Sequence, residues 1–164
     1  MNRPYLRRNQ ESWDAYSKEY QERHQTQLPT DEPTWGVWGI SESTLQIFGA
    51  DFQAVRNKDV LEFGCGGAQW SIALAKRGAH IVAVARTQGG LEELDDEIRK
   101  DGGSATLVPL SLTDTDGIAR LGAALHERGG KLDILVGNAG VPGPASPLGH
   151  IEVKQWTDTF AVNV

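Results

Sequence analysis

Three groups of residues in this chain have the types and spacing to do chemistry. The first is the run "EFGCGG", in which Glu62, Gly64, Gly66 and Gly67 stand between an apolar run and a helical pattern. Glycines there let the backbone turn tightly and let a ligand come close without a Cβ in the way. A carboxylate at Glu62 favours a cationic ligand and opposes a pyrophosphate. The second is Arg86, just after the next apolar run, "HIVAVA". Its planar fork of donors suits a phosphate. The third is "NAG", Asn138, Ala139 and Gly140, after a further apolar run. A βα turn that binds nothing is the plain alternative for the first group.

The elements that must position these residues alternate regularly from residue 58. The pattern predicts strands over 59–64, 80–85, 105–110 and 132–137, and helices over 68–78, 91–103 and 113–130. Leu91, Leu94 and Ile98 fall at helical spacing. Thr113 with Asp116 resembles a capping box for the third of these helices. "IEVKQWTDTFAVNV" starts a further helix after a Pro/Gly loop. Such alternation makes parallel βα units, and right-handed crossovers place the four strands in the order 3-2-1-4. The fold class is therefore α/β: a three-layer α/β/α Rossmann-like sandwich with a short parallel sheet. Ligands of such sheets bind at the carboxyl ends of the strands.

Residues 1–57 differ in character and read as an N-terminal helical cap. They hold Trp13, Trp35, Trp38 and all three tyrosines, with a helix predicted over 10–24, a loop in "LPTDEPTWGVWG" and a short helix in "SESTLQIFGADFQAV". Trp13, Tyr16, Trp35 and Trp38 suit either a lid over a pocket or packing against the sheet.

Composition narrows the classes. The 164 residues carry 39% hydrophobic and 23% charged residues and a net charge of −6, which fits one folded domain over 1–164. No basic stripe favours nucleic acid, and no apolar run is long enough for a membrane span. The single cysteine, Cys65, leaves no internal disulfide, and a cytoplasmic setting is expected. His24, His80, His126 and His150 lack metal-ligand spacing. "LDDE" (94–97) reads as a solvated helix face.

The glycine turn with its acid, together with "SWDAYSKEY" upstream, resembles motif I of the class I S-adenosylmethionine (SAM) dependent methyltransferases, over roughly residues 12–84. That resemblance implies Glu62, Gly64 and Gly66 near the methionine end of SAM. "VARTQGGLEELDDEIRKDGGSATLVPLSLTD", "LDILVGNAG" and the helix ending "AVNV" instead resemble a short-chain dehydrogenase/reductase, over about 82–164. By that resemblance Arg86 meets the 2′-phosphate of NADP, Asn138, Ala139 and Gly140 touch the cofactor, and Asn163 kinks the last helix. The family's own glycine loop is absent, Ser111 replaces the Asp expected near adenine, and no tyrosine follows Tyr20 to serve as proton donor.

The two resemblances meet near residues 82–84. The chain therefore reads as a splice of a cap (1–57), a methyltransferase-like βα unit (58–82) and a dehydrogenase-like part (83–164). A designed fusion, a joining of two genes in assembly, and a natural hybrid family all fit. The expectation is a chimera with no complete catalytic site, binding SAM weakly; a SAM-dependent methyltransferase and an NADP-dependent dehydrogenase fragment are the alternatives. The edge of the strand over 132–137 is expected either to pair with a second copy in a homodimer or to be shielded by an N-terminal segment folded back on it.

Overall fold

The computed structural model describes residues 29–36, 38–131, 139–141, 143–144 and 146–164. The helix expected over 10–24, the strand over 132–137 with its edge, and Asn138 lie outside these residues.

The protein is α/β, with a short parallel sheet of Rossmann-like form. Two short strands come first, β1 (Thr34–Trp35) and β2 (Ile40–Ser41), paired antiparallel. They form a hairpin whose first strand lies in the stretch read from sequence as loop and whose second follows directly after it. Helix α1 (Glu42–Leu45) and a 3-10 turn over Ala50–Val55 follow, shorter than the single helix expected there. The main sheet then comprises β3 (Asp59–Phe63), β4 (His80–Ala85) and β5 (Ala105–Pro109), in the order β3-β4-β5 and all parallel. Helix α2 (Gln69–Ala75) joins β3 to β4, and α3 (Gln88–Lys100) joins β4 to β5. Helix α4 (Thr115–Arg128), a 3-10 turn over Leu148–His150 and helix α5 (Val153–Asn163) complete the described elements.

β4 is the middle strand, and Ile81, Val82, Ala83 and Val84 are all buried. A strand covered on both faces needs such a continuous apolar run. Leu91, Leu94 and Ile98 bury one stripe of α3 against it. The face read as solvated is interrupted there. Asp95 is buried, accepts from Arg99 Nε at 2.6 Å, and accepts from Ala105 N at 2.9 Å, which fixes the start of β5 to α3.

The cap residues share this core. Phe48, Phe52 and Val55 belong to one apolar cluster with Ile81, Ala83, Leu91, Leu94 and Ile98. Trp35 packs on Trp70 of α2 with ring centroids 4.2 Å apart, while its Nε1 donates to Glu42 Oε2 at 2.7 Å. The other Glu42 oxygen accepts from Phe48 N at 2.6 Å, so a fully buried carboxylate is satisfied on both sides. Trp35 is thus a packing residue, and Trp38 stands exposed.

Helix caps differ from the sequence reading in one place. Asp114, not Thr113, caps α4, accepting from Gly117 N at 2.9 Å. Thr113 is occupied instead with Ser111, Oγ1 to Oγ at 2.9 Å. Glu152 and Gln155 form a reciprocal capping box at the start of α5.

Candidate functional site at the carboxyl edge of the sheet

Those residues singled out by sequence that the structure describes lie where the parallel strands end. β3 runs into the turn Gly64–Ala68, whose backbone is held against the next strand by Gly64 N donating to Val84 O at 2.8 Å. Gly64, Gly66 and Ala68 all take the left-handed conformation, with φ of 64°, 51° and 52°. Gly64, Gly66 and Gly67 are exposed, whereas Cys65 and Ala68 point inward and are buried. A Cβ added at Gly64 would sit 3.4 Å from Ala139 Cβ and 3.6 Å from Leu112 Cδ1. This contact brings the described part of the "NAG" segment and the loop after β5 over the turn.

Glu62 does not project past the strand end. Its Oε2 accepts from Ser71 N at 3.0 Å and from Ser71 Oγ at 2.5 Å, fixing the carboxyl against α2. Burial raises its pKa above the usual carboxylate value, and the two Ser71 bonds only partly offset this. Burial, and then the Glu62 charge, push the Cys65 thiol up to about 11, so it is a poor nucleophile at neutral pH. The side-chain oxygen of Gln69, the first residue of α2, is buried without a hydrogen-bond partner; nothing in the sequence distinguished it.

One strand over, Arg86 follows Ala85 at the end of β4. It is exposed and makes no hydrogen bond or ion pair among the described residues. The start of α3 beside it is open. Thr87 makes no side-chain cap, no acid lies in the first turn, and Gly89 and Gly90 leave free space around them. Uncapped amides next to a guanidinium have the chemistry to suit an anion. After β5, Leu110 N donates to Ala85 O at 2.9 Å, and Ser111 stands next in the chain. Farther out, Asn163 of α5 holds the segment after "NAG": its Oδ1 accepts from Val141 N at 2.8 Å, and its Nδ2 donates to Val141 O at 3.0 Å. Among the described residues no group of His, Cys, Asp and Glu could hold a metal ion, and no helix is long and apolar enough to cross a membrane.

Comparison with known proteins places this geometry in a family. The model for "short chain dehydrogenase" matches residues 63–164. It therefore reaches back from the junction expected at residues 82–84 and takes in the Gly64–Ala68 turn and α2. A short chain dehydrogenase/reductase, dpchG, of Colletotrichum higginsianum is 34% identical over 103 residues, covering 62% of this chain and 38% of that protein. Human dehydrogenase/reductase SDR family member 11 is 34% identical over 100 residues, covering 60% and 38%. The chain thus spans well under half the length of these relatives. Among solved structures, a metagenomic short-chain oxidoreductase in complex with NADP superposes with a TM-score of 0.61 at 29% identity, covering 67% of this chain and 51% of the other. A Sinorhizobium meliloti short-chain alcohol dehydrogenase does so with a TM-score of 0.57 at 31% identity, covering 66% and 44%.

Proposed function

The chain belongs to the short chain dehydrogenase family, and we propose that it carries the NADP-binding half of such an enzyme. The observation that supports this most is Arg86, exposed and unpartnered among the described residues beside the uncapped start of α3. There its guanidinium meets the 2′-phosphate, and the open amides of α3 add donors. The exposed Gly64–Gly67 backbone takes the dinucleotide across the strand ends, as ligands of open α/β sheets are taken. Ala139 lies over that turn, and Asn163 fixes the segment that follows Ala139 and Gly140. NADP, when bound, supplies the hydride-transfer chemistry; the described residues bind and orient it. The solved relative in complex with NADP lends support to this choice of cofactor.

A SAM pocket spliced to a dehydrogenase half rests on Glu62, and the carboxylate there is already engaged with Ser71. NADP is therefore the cofactor adopted. Titration with NADPH, NADH and SAM decides between them. NADPH should bind tightest, and Arg86→Ala should erase its preference over NADH, about ten- to a hundredfold for a charge-assisted phosphate contact. Equal binding of NADPH and NADH by the parent chain, or tighter binding of SAM, would overturn the assignment.

A further inference from the structure

Glu62 lies at this edge and is assigned no contact with NADP above, but its placement gives it another role. It is the penultimate residue of β3, two residues before Gly64, with its carboxyl fixed by the Ser71 amide and hydroxyl. From the turn it faces the Cys65 thiol, from α2 it faces Ser71, and its register partner on β4 is the apolar Ala83. No lysine, arginine or histidine among the described residues compensates it. A dinucleotide laid over the adjacent turn brings phosphate charge next to a poorly solvated carboxylate. Two like charges in such a place cannot both persist cheaply, and the carboxylate is the one that can take a proton.

We propose that Glu62 selects the charge this site accepts, and that an anionic dinucleotide binds together with a proton taken up on the Glu62 carboxylate. The inference rests on the NADP reading above. The proton comes from solvent buffer and forms one O–H bond; no other bond changes. Ser71 accommodates either state, because its hydroxyl donates to a carboxylate and accepts from a carboxylic acid, while its amide donates to both. Burial raises the Glu62 pKa above the usual carboxylate value, which is the direction this uptake requires. Ionised Glu62 therefore weakens dinucleotide binding, and neutral Glu62 permits it.

The test titrates the full chain with NADPH from about pH 5.5 to about pH 8, read by nucleotide fluorescence, beside Glu62→Gln. Glutamine keeps an acceptor for Ser71 and cannot ionise. The ratio of the two affinities cancels the titration of the cofactor's own phosphate. The parent chain should lose affinity relative to the variant by up to about tenfold per pH unit once Glu62 ionises in the free protein. Calorimetry in two buffers of different ionisation enthalpy should read net proton uptake for the parent, where phosphate docking on Arg86 alone gives release. Matching pH profiles with no proton uptake would overturn the role of Glu62 and leave NADP binding standing. No NADPH binding by either protein at any pH would overturn the NADP reading, and this inference with it. Should Glu62→Gln fail to give a cooperative thermal melt, proton uptake by the parent chain decides the matter alone.

Discussion

Asn163 and Val141 hold each other through both backbone groups of Val141: the amide donates to Asn163 Oδ1 at 2.8 Å and the carbonyl accepts from Nδ2 at 3.0 Å. A residue at the last position of α5 thereby pins the segment that follows Ala139 and Gly140. Asn163→Ala removes both bonds. Because the pair is exposed, the cost to global stability should be small, about 1 kcal/mol. The local effect should be larger. Hydrogen exchange at the Val141 amide should lose its protection while β4 amides keep theirs, and unchanged protection at Val141 would contradict the clamp.

Gly64 and Gly66 share a left-handed backbone but not their surroundings. Alanine costs about 1–2 kcal/mol in that conformation at either site. At Gly64 the new Cβ also presses on Ala139 Cβ at 3.4 Å, while at Gly66 it meets only Gly64 O at an ordinary 3.8 Å. Urea denaturation should therefore rank Gly64→Ala as the more destabilising change. The reverse order would mean that Ala139 does not sit over the turn.

Asp95 and Arg99 form an ion pair whose partners are not equal in consequence. Arg99 is 66% exposed and Asp95 is 12% exposed at the side chain. Arg99→Ala should cost less than about 1 kcal/mol, as surface pairs do. Asp95→Ala also strips the acceptor from Ala105 N and should cost about 1–3 kcal/mol. Chemical denaturation of both variants checks the ordering.

Glu62 and Cys65 give stability an unusual pH dependence. Burial raises Glu62 in the folded state above 4.5, so the folded chain holds that proton longer than the unfolded chain does. Its contribution is complete below 4.5 and is lost as pH rises through the raised value. Cys65 adds a second decline between 9.0 and about 11, where the unfolded thiol ionises first. Glu62→Gln should flatten the acidic-side decline, and Cys65→Ala should remove the alkaline one. Glu62→Gln should also speed reaction of Cys65 with a disulfide reagent, since it removes a charge that opposes the thiolate. Denaturation midpoints across pH and thiol-reaction rates measure both.

The parts of the fold legible in sequence were those in which one chain segment carries the whole signal. β4 announces itself by an unbroken apolar run, and α3 by Leu91, Leu94 and Ile98. The β1–β2 hairpin does not, because its strands are two residues long, in and directly after a Pro/Gly-rich stretch. Asp95 looked solvated because its charge matched its neighbours; its burial depends on Ala105, ten residues away. Glu42 is the same case, a carboxylate buried by Trp35 and the Phe48 amide. At the site, the glycine turn and Arg86 could be read locally. The Glu62–Ser71 pairing spans nine residues and could not. The junction was least legible of all, since a glycine turn between a parallel strand and its helix serves both resembled families, and the dehydrogenase match begins at Phe63, before that turn.

The close, mutually tilted indoles of Trp35 and Trp70 turn the docking of the cap on α2 into an optical signal. Two indoles with centroids 4.2 Å apart couple their transition dipoles, so circular dichroism should carry an exciton couplet that neither ring gives alone. Exposed Trp38 and half-exposed Trp156 lie outside that pair and report solvent instead. Trp35→Phe should therefore abolish the couplet and leave most emission in place. The molecule thus contains a spectroscopic gauge of whether its N-terminal segment and its parallel sheet melt as one body or as two.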